Sequence, residues 1–189
     1  MGAAMNTARR EMLLALARQS IRMHLAGEPL PTIPAALDEV GDFGGVFVTL
    51  KNKGRLRGCI GRFRPTIGLG PAVQEMAIAS LGDERFGDNP VTLEELDALT
   101  IEISILSPMT RTHDPLSLLP GIHGIYVRRE AHSGCFLPQV ASEQGWNAEQ
   151  LLSYCCVGKA GLRSDAWKHP QTEVYLFTAE VLREERRPQ

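Results

Sequence analysis

An α+β fold with a mostly antiparallel sheet and flanking helices is what three features of this 189-residue chain predict. Two pairs of short apolar runs are joined by brief polar segments, the mark of β-hairpins. Other stretches carry apolar residues at helical spacing. Strands and helices do not alternate regularly, as a parallel sheet would require. With 43% hydrophobic and 22% charged residues, the chain has the balance of a globular protein, and its length suits one domain or two small, intimately packed lobes.

From about Thr7 to Ala26, the residues Leu13, Leu16, Ala17, Ser20, Ile21 and His24 recur at helical spacing and Gly27 ends the run, so the first element is a long amphipathic helix. His24, near its C-terminus, suits the helix dipole better than catalysis. Prolines 29, 31 and 34, then glycines 41, 44 and 45, make residues 28–45 an extended connection with one short helical turn. Residues 46–50 and 55–60 flank Lys51-Asn52-Lys53-Gly54, a hairpin pattern. In it Leu56 and Ile60 face the core, and Arg55, Arg57 and Cys59 share the other face unless a bulge at Gly58 shifts the phase.

Gly70-Pro71 opens a second helix whose stripe is Val73, Met76, Ala77, Ser80 and Leu81. Residues 82–90 are polar and glycine-rich and read as a loop outside the core. Thr92 and Glu95 form a capping box for a short helix to about Ala98. Ile101-Glu102-Ile103-Ser104-Ile105 alternates as a strand, with Glu102 and Ser104 opposite the isoleucines. After Pro108 a proline-bearing loop leads to a second hairpin, residues 124–129 with 134–137, turned by residues 130–133. Asn147 and Gln150 box the start of a further helix, on which Ala148, Leu151, Leu152, Cys155 and Cys156 form a buried stripe ended by Gly158. A last strand over residues 173–181 precedes a charged, flexible tail, 183–189.

A formal net charge of -2 and a pI of about 6.2 give no bulk attraction to polyanions or acidic membrane surfaces. Nucleic-acid binding is left with Arg55, Arg57, Arg62 and Arg64, with Phe63 alone among them and no series of interleaved aromatics. No apolar run reaches the roughly 18 residues of a membrane span, and the first residues lack the pattern of a secretory signal, so the expected location is cytoplasmic. Cys59, Cys135, Cys155 and Cys156 contain no C-x-x-C and no paired metal-ligand spacing, so reduced thiols without a metal are expected.

Leu56-Arg57-Gly58-Cys59-Ile60-Gly61 is the most chemically suggestive stretch. A cation beside a thiol favours thiolate, the reactive form, and glycines on a strand leave room for close approach by a substrate or partner. An enzyme reading makes Cys59 the nucleophile, Arg57 the activating or anion-binding charge, and Glu102 or His123 the base. The competing reading of Cys59 is a small residue packed on a crowded strand. For His123 and for Lys159, which follows a helix C-terminus, structural use is the better account. Arg85 either binds a phosphate or carboxylate or ties its loop to Asp83 or Glu84.

Leu56-Arg57-Gly58-Cys59-Ile60-Gly61, Asp83-Glu84-Arg85-Phe86, Ile101-Glu102-Ile103-Ser104, Leu137-Pro138-Gln139-Val140-Ala141-x-Glu143-x-Gly145-Trp146 and Lys159-Ala160-Gly161-Leu162, in this order, resemble the AMMECR domain family. Its microbial branch is called AmmeMemoRadiSam system protein A. The resemblance covers nearly the whole chain, with one departure: Gly87-Asp88-Asn89 intervene between Phe86 and Pro90, where the family places proline directly after the phenylalanine.

The resemblance implies one domain over residues 1–189, built of two lobes enclosing a cleft near the cysteine motif. It adds Gly58, Gly61, Arg85, Gln139 and Lys159 as substrate- or partner-binding candidates, and Memo-like and radical-SAM proteins as partners in a modification pathway. No cofactor is implied for this chain, which lacks the three-cysteine cluster motif of a radical-SAM enzyme. The family's activity is unresolved. The chain is therefore read as a cysteine-nucleophile transferase or hydrolase, or an accessory subunit. The alternatives are a non-catalytic protein- or peptide-binding module and, more weakly, a nucleic-acid-binding protein.

Overall fold

The computed structural model describes residues 5–185, which form an α+β fold of two compact units. One unit runs to Ile105 and resumes at Glu180; the other is Leu106–Ala179.

In the first unit, the Asn6 side chain accepts the Arg9 N–H at 2.8 Å and so caps α1 (Thr7–Ala26), which ends at Gly27 with φ 70°. It buries Leu13, Leu16, Ala17, Ser20 and Ile21, as its spacing predicts, and leaves His24 exposed in the last turn. β1 (Gly45–Asn52) and β2 (Arg55–Phe63) pair antiparallel through a two-residue turn, Lys53-Gly54, at φ 49° and 79°. Positive φ at both positions matches the strand twist, which is why glycine stands at the second. α2 (Leu69–Ala79) starts from Gly68, earlier than the Gly70-Pro71 start expected. β3 (Leu99–Leu106) and β8 (Ala179–Arg183) complete the sheet, in the order β2-β1-β3-β8. Its core joins Leu13 and Ile21 of α1 to Val73 of α2, Val48 and Leu50 of β1 and Ile103 of β3.

The β1–β2 register contains the feature on which the site depends. Leu50 pairs with Gly58 but Lys51 pairs with Leu56, so Arg57 is the extra residue of a bulge. The expected phase therefore fails below the bulge. Leu56 is 38% exposed instead of facing the core, while Gly58 is buried against Leu50 and Ile60 packs on the core.

Arg18 ties this unit together. Its guanidinium donates twice to Glu184 at 2.6 Å and to the carbonyls of Leu96 and Leu99 at 3.0 and 2.8 Å, while Glu184 also accepts the Ile101 N–H. The expected tail thus begins later than residue 183, because Arg183 ends β8 and pairs with Glu102, and Glu184 is fixed by Arg18. Residues 186–189 of that tail lie outside the described residues. Replacing Arg18 by leucine strands a half-buried carboxylate and two carbonyls, which is expected to cost about 2–4 kcal/mol. A lowered urea midpoint at unchanged slope checks this.

In the second unit, β4 (Thr110–Thr112), β5 (Gly124–Arg129), β6 (His132–Phe136) and β7 (Glu173–Phe177) form a sheet in the order β4-β7-β5-β6, with every neighbouring pair antiparallel. α3 (Pro138–Gln144) precedes α4 (Ala148–Gly158), whose Asn147–Gln150 capping box is present in both directions at 2.9 and 3.0 Å. Leu151, Leu152, Cys155 and Cys156 of α4 pack with Ile125, Val127 and Trp167. Burial pushes the thiols of Cys155 and Cys156 up, so they serve as small core groups.

Several local expectations change. β4 forms within the proline-bearing loop expected after Pro108, α3 forms in a stretch to which the sequence reading assigns no element, and the second hairpin turns on Glu130-Ala131 alone, with Glu130 at φ 55°. The single strand expected over residues 173–181 divides at Thr178, whose backbone bonds Ser107 in both directions, so β7 and β8 belong to different sheets. Among the described residues, no helix is long and apolar enough to cross a membrane and no His, Cys, Asp and Glu group is placed to hold a metal.

Candidate functional site

β2 is an edge strand, so alternate residues point their N–H and C=O groups away from the sheet. At Cys59 these groups meet the loop after α2. The Cys59 N–H donates to Asp83 Oδ2 at 2.9 Å, and Arg85 donates to the Cys59 carbonyl at 3.4 Å. Asp83 and Arg85 are themselves joined: Arg85 Nε donates to Asp83 Oδ1 at 2.9 Å and a terminal nitrogen donates to Oδ2. Together the two side chains take the place of a neighbouring strand. Because both backbone groups of Cys59 point outward, Thr49 and Cys59 form a non-hydrogen-bonded pair, the kind whose side chains come closest. Thr49 Oγ1 accordingly donates to Cys59 Sγ at 3.2 Å.

One residue of bulge away, Arg57 is held by Glu95 through Nε at 2.9 Å and a second nitrogen at 3.0 Å, and Asn52 donates to the same carboxylate at 2.9 Å. The Phe86 ring is within reach of two cations, 5.9 Å from the Arg57 guanidinium and 5.8 Å from that of Arg85. The three residues between Phe86 and Pro90 continue the loop with a turn, Asn89 N–H to Phe86 C=O at 3.0 Å.

Charge in this cluster is arranged in pairs. The hydrogen bonds from Arg85 hold the Asp83 carboxyl down at about 2, against its burial, with the Cys59 and Arg85 backbone N–H groups adding to the effect. The same pairing raises Arg85, with a smaller contribution from the nearby Cys59 thiol. Burial alone would push Glu95 up; its bonds from Arg57 and Asn52 outweigh that and leave it below the usual carboxylate range.

Of the residues nominated by sequence, Arg57, Gly58, Cys59, Gly61 and Arg85 are brought together here. Their roles differ from expectation. Arg57 is neutralised by Glu95, and the cation coupled to Cys59 is Arg85. Of the two readings of Arg85, the tie to Asp83 is the one observed. The glycines do not leave open backbone: a Cβ on Gly58 would lie 2.2 Å from the Ser80 carbonyl oxygen, and one on Gly61 would lie 2.1 Å from the Phe47 ring. Glu102 is on β3, two strands from Cys59 and hence about 10 Å across the sheet, against the roughly 3 Å a base requires. Its buried carboxylate binds Lys51 at 3.1 Å and Arg183 at 2.8 Å.

His123, Gln139 and Lys159 belong to the second unit. His123 Nδ1 accepts the Leu119 N–H at 3.1 Å and closes a loop. Gln139 stands in the first turn of α3, and Lys159 follows α4 with its ammonium 5.4 Å from the centre of the Phe136 ring. The sequence reading misses Thr49, Glu95 and the burial of Asp83. Counting back from the Lys53-Gly54 turn pairs Thr49 with Gly58; only the bulge at Arg57 moves it opposite Cys59. The spacing of Glu95 from Thr92 predicts a capping box, and the Glu95 backbone N–H does reach Thr92 Oγ1 at 3.4 Å, but the Glu95 carboxylate goes to Arg57.

The chain is 41% identical over 181 residues to a protein of Methanothermobacter thermautotrophicus, covering 92% of this chain and 93% of that one. It is 40% identical to protein MK0488 of Methanopyrus kandleri, over 98% and 93% of the two chains. Its fold is similar to the crystal structure of the uncharacterized protein PH0010 from Pyrococcus horikoshii, with a TM-score of 0.87 and 38% identity over 96% of this chain and 94% of that one. A family model described as AMMECR1 matches residues 14–182, which takes in every residue of the Cys59 cluster, and the chain belongs to the AMMECR1 family.

Proposed function

We propose that the protein works through the Cys59 thiol. In this reading it is a cysteine-dependent transferase or hydrolase, or an accessory subunit, in a modification pathway whose other members are Memo-like and radical-SAM proteins. The observation that carries the proposal is the setting of Sγ. It has the Thr49 hydroxyl at 3.2 Å, its strand edge is clamped by Asp83, and the Arg85 guanidinium reaches the carbonyl of the same residue at 3.4 Å. A hydroxyl donor and a guanidinium are the neighbours that a reacting thiolate requires.

The test is the rate of Cys59 alkylation by iodoacetamide against pH, with the labelled peptide identified by mass. Cys59 is expected to label with a midpoint below the ordinary thiol value of about 8.5, and Arg85→Gln to slow labelling at neutral pH several-fold. Labelling no faster than that of glutathione at any pH sinks the nucleophile. The pairing of Arg57 with Glu95 supports the second reading, a non-catalytic module that docks a protein or peptide. A sluggish thiol together with equal recovery of the Memo-like and radical-SAM proteins by wild type and Cys59→Ser would favour it.

A further inference from the structure

The unit Leu106–Ala179 contains a cavity of about 710 Å³, walled by the end of β5 and by the segment after α4 that begins with the Lys159-Ala160-Gly161-Leu162 motif. Its polar lining is Arg129, Arg163, Asp165, Lys168 and His169. We propose that this cavity binds a phosphate monoester, with the phosphate on Arg129 and the organic part against Leu162 and Ala166.

Arg129 carries the argument. Its side chain is half-buried at the end of β5, yet among the described residues it has no hydrogen-bond or ion-pair partner. Its donors thus have no acceptor among the described residues to satisfy them, and the planar fork of a guanidinium matches a phosphate in two places. The other cations are paired only at the surface. Arg163 meets Asp165 at 3.1 Å and Lys168 meets Glu149 at 3.1 Å, with all four side chains more than half exposed. Such pairs are worth little and can be redirected to a bound anion.

The charge balance selects the ligand class. Arg129, Arg163 and Lys168 are positive and Asp165 is negative, which leaves an excess of two positive charges among the lining residues once a bound anion draws Lys168 from Glu149, a carboxylate outside the lining. A phosphate monoester above its second pKa of about 6 carries the matching two negative charges, whereas a single carboxylate leaves one cation uncompensated. His169 adds a donor: its Nδ1 accepts the Gln171 N–H at 3.2 Å, so the neutral ring carries its proton on Nε2. Gly161, at φ 66°, lets the chain turn into the cavity wall directly after α4. The volume falls within the range of about 300–1,000 Å³ found for small-molecule sites.

The test is a titration of the full chain with inorganic phosphate, phenyl phosphate and succinate at constant ionic strength, followed by NMR of the arginine Nε–H groups. Phosphate is expected to shift the Arg129 signal saturably in the millimolar range, phenyl phosphate to bind more tightly, and succinate to bind more weakly than either. The Arg129→Gln variant should weaken phenyl phosphate binding, followed on backbone amides such as Gly161, by about tenfold or more, and Lys168→Gln, at an exposed position, by several-fold. Three results would each overturn the proposal: a response that chloride reproduces, succinate binding as tightly as phosphate, or affinity unchanged in both variants.

Discussion

Gly58→Ala is expected to destabilise the protein by about 3 kcal/mol or more and to abolish any rapid alkylation of Cys59. A Cβ at this position would lie 2.2 Å from the Ser80 carbonyl oxygen and 3.3 Å from its carbon, far inside contact distance. The obstacle is backbone, in the 3-10 turn (Ser80–Gly82) that closes α2, and cannot swing aside as a flexible side chain would. Ser80 is itself buried and returns its hydroxyl to the Ala77 carbonyl at 2.7 Å, so the turn is held from behind. Leu50 lies 3.7 Å away and limits a shift in that direction. Relief therefore comes from lifting β2, which pulls the Cys59 N–H off Asp83. Overpacking against fixed atoms costs roughly 1–3 kcal/mol, and the broken bond to a buried carboxylate adds to it. Gly158→Ala is the matched control, because a Cβ there meets nothing within 4 Å; it is expected to be neutral or to stabilise α4 by up to about 1 kcal/mol. Urea midpoints separate the two variants. A Gly58→Ala protein within about 0.5 kcal/mol of wild type would show that the strand and the turn are not in contact.

The same contact shows why some of this molecule is legible in its sequence and some is not. The stripes of α1 and α4, their caps at Gly27 and Asn147 and the turn at Lys53-Gly54 are local, and each is written within a few residues. The bulge is not, because Arg57 is the extra residue only in relation to β1. Asp83 sits among polar and glycine residues and so reads as solvated, yet it is 5% exposed. Its burial is tolerated because donors 24 positions earlier and two positions later in the chain satisfy it. Glu95 illustrates the same limit: the spacing to Thr92 is real, but a guanidinium 38 positions away competes for the carboxylate. At Thr178 the apolar character of Val174, Phe177 and Leu182 continues across the break, so nothing in the pattern marks the change of sheet. The two motifs around Cys59 and Arg85 are recognisable separately. That they form one cluster is a statement about the edge of β2, which a single sequence does not contain.

Asp83→Asn is expected to lower stability at neutral pH by about 2–4 kcal/mol and to flatten the loss of stability on acidification. The Asp83 carboxylate accepts from the Cys59 N–H at 2.9 Å, the Arg85 N–H at 3.1 Å, Arg85 Nε at 2.9 Å and a terminal nitrogen of Arg85. All four partners are donors, so one end of an asparagine amide must oppose donor to donor, and the buried charge that Arg85 matches is gone. With its folded value at about 2 against about 3.9 in the unfolded chain, the unfolded state binds the proton more readily. The stability Asp83 supplies is thus fully present above about pH 4 and is lost as the pH falls toward about 2. A shift of this size corresponds to roughly 2–3 kcal/mol, consistent with the cost of the substitution. Urea denaturation of both proteins at neutral pH and at steps between about pH 4 and 2 measures both quantities. Equal acid slopes for the two proteins would mean that other carboxylates govern the acid limit. Equal stability at neutral pH would mean that Asp83 does not bear on the edge of β2. If both differences appear and Cys59 labelling slows in Asp83→Asn, the loop after α2 is what holds the thiol in place.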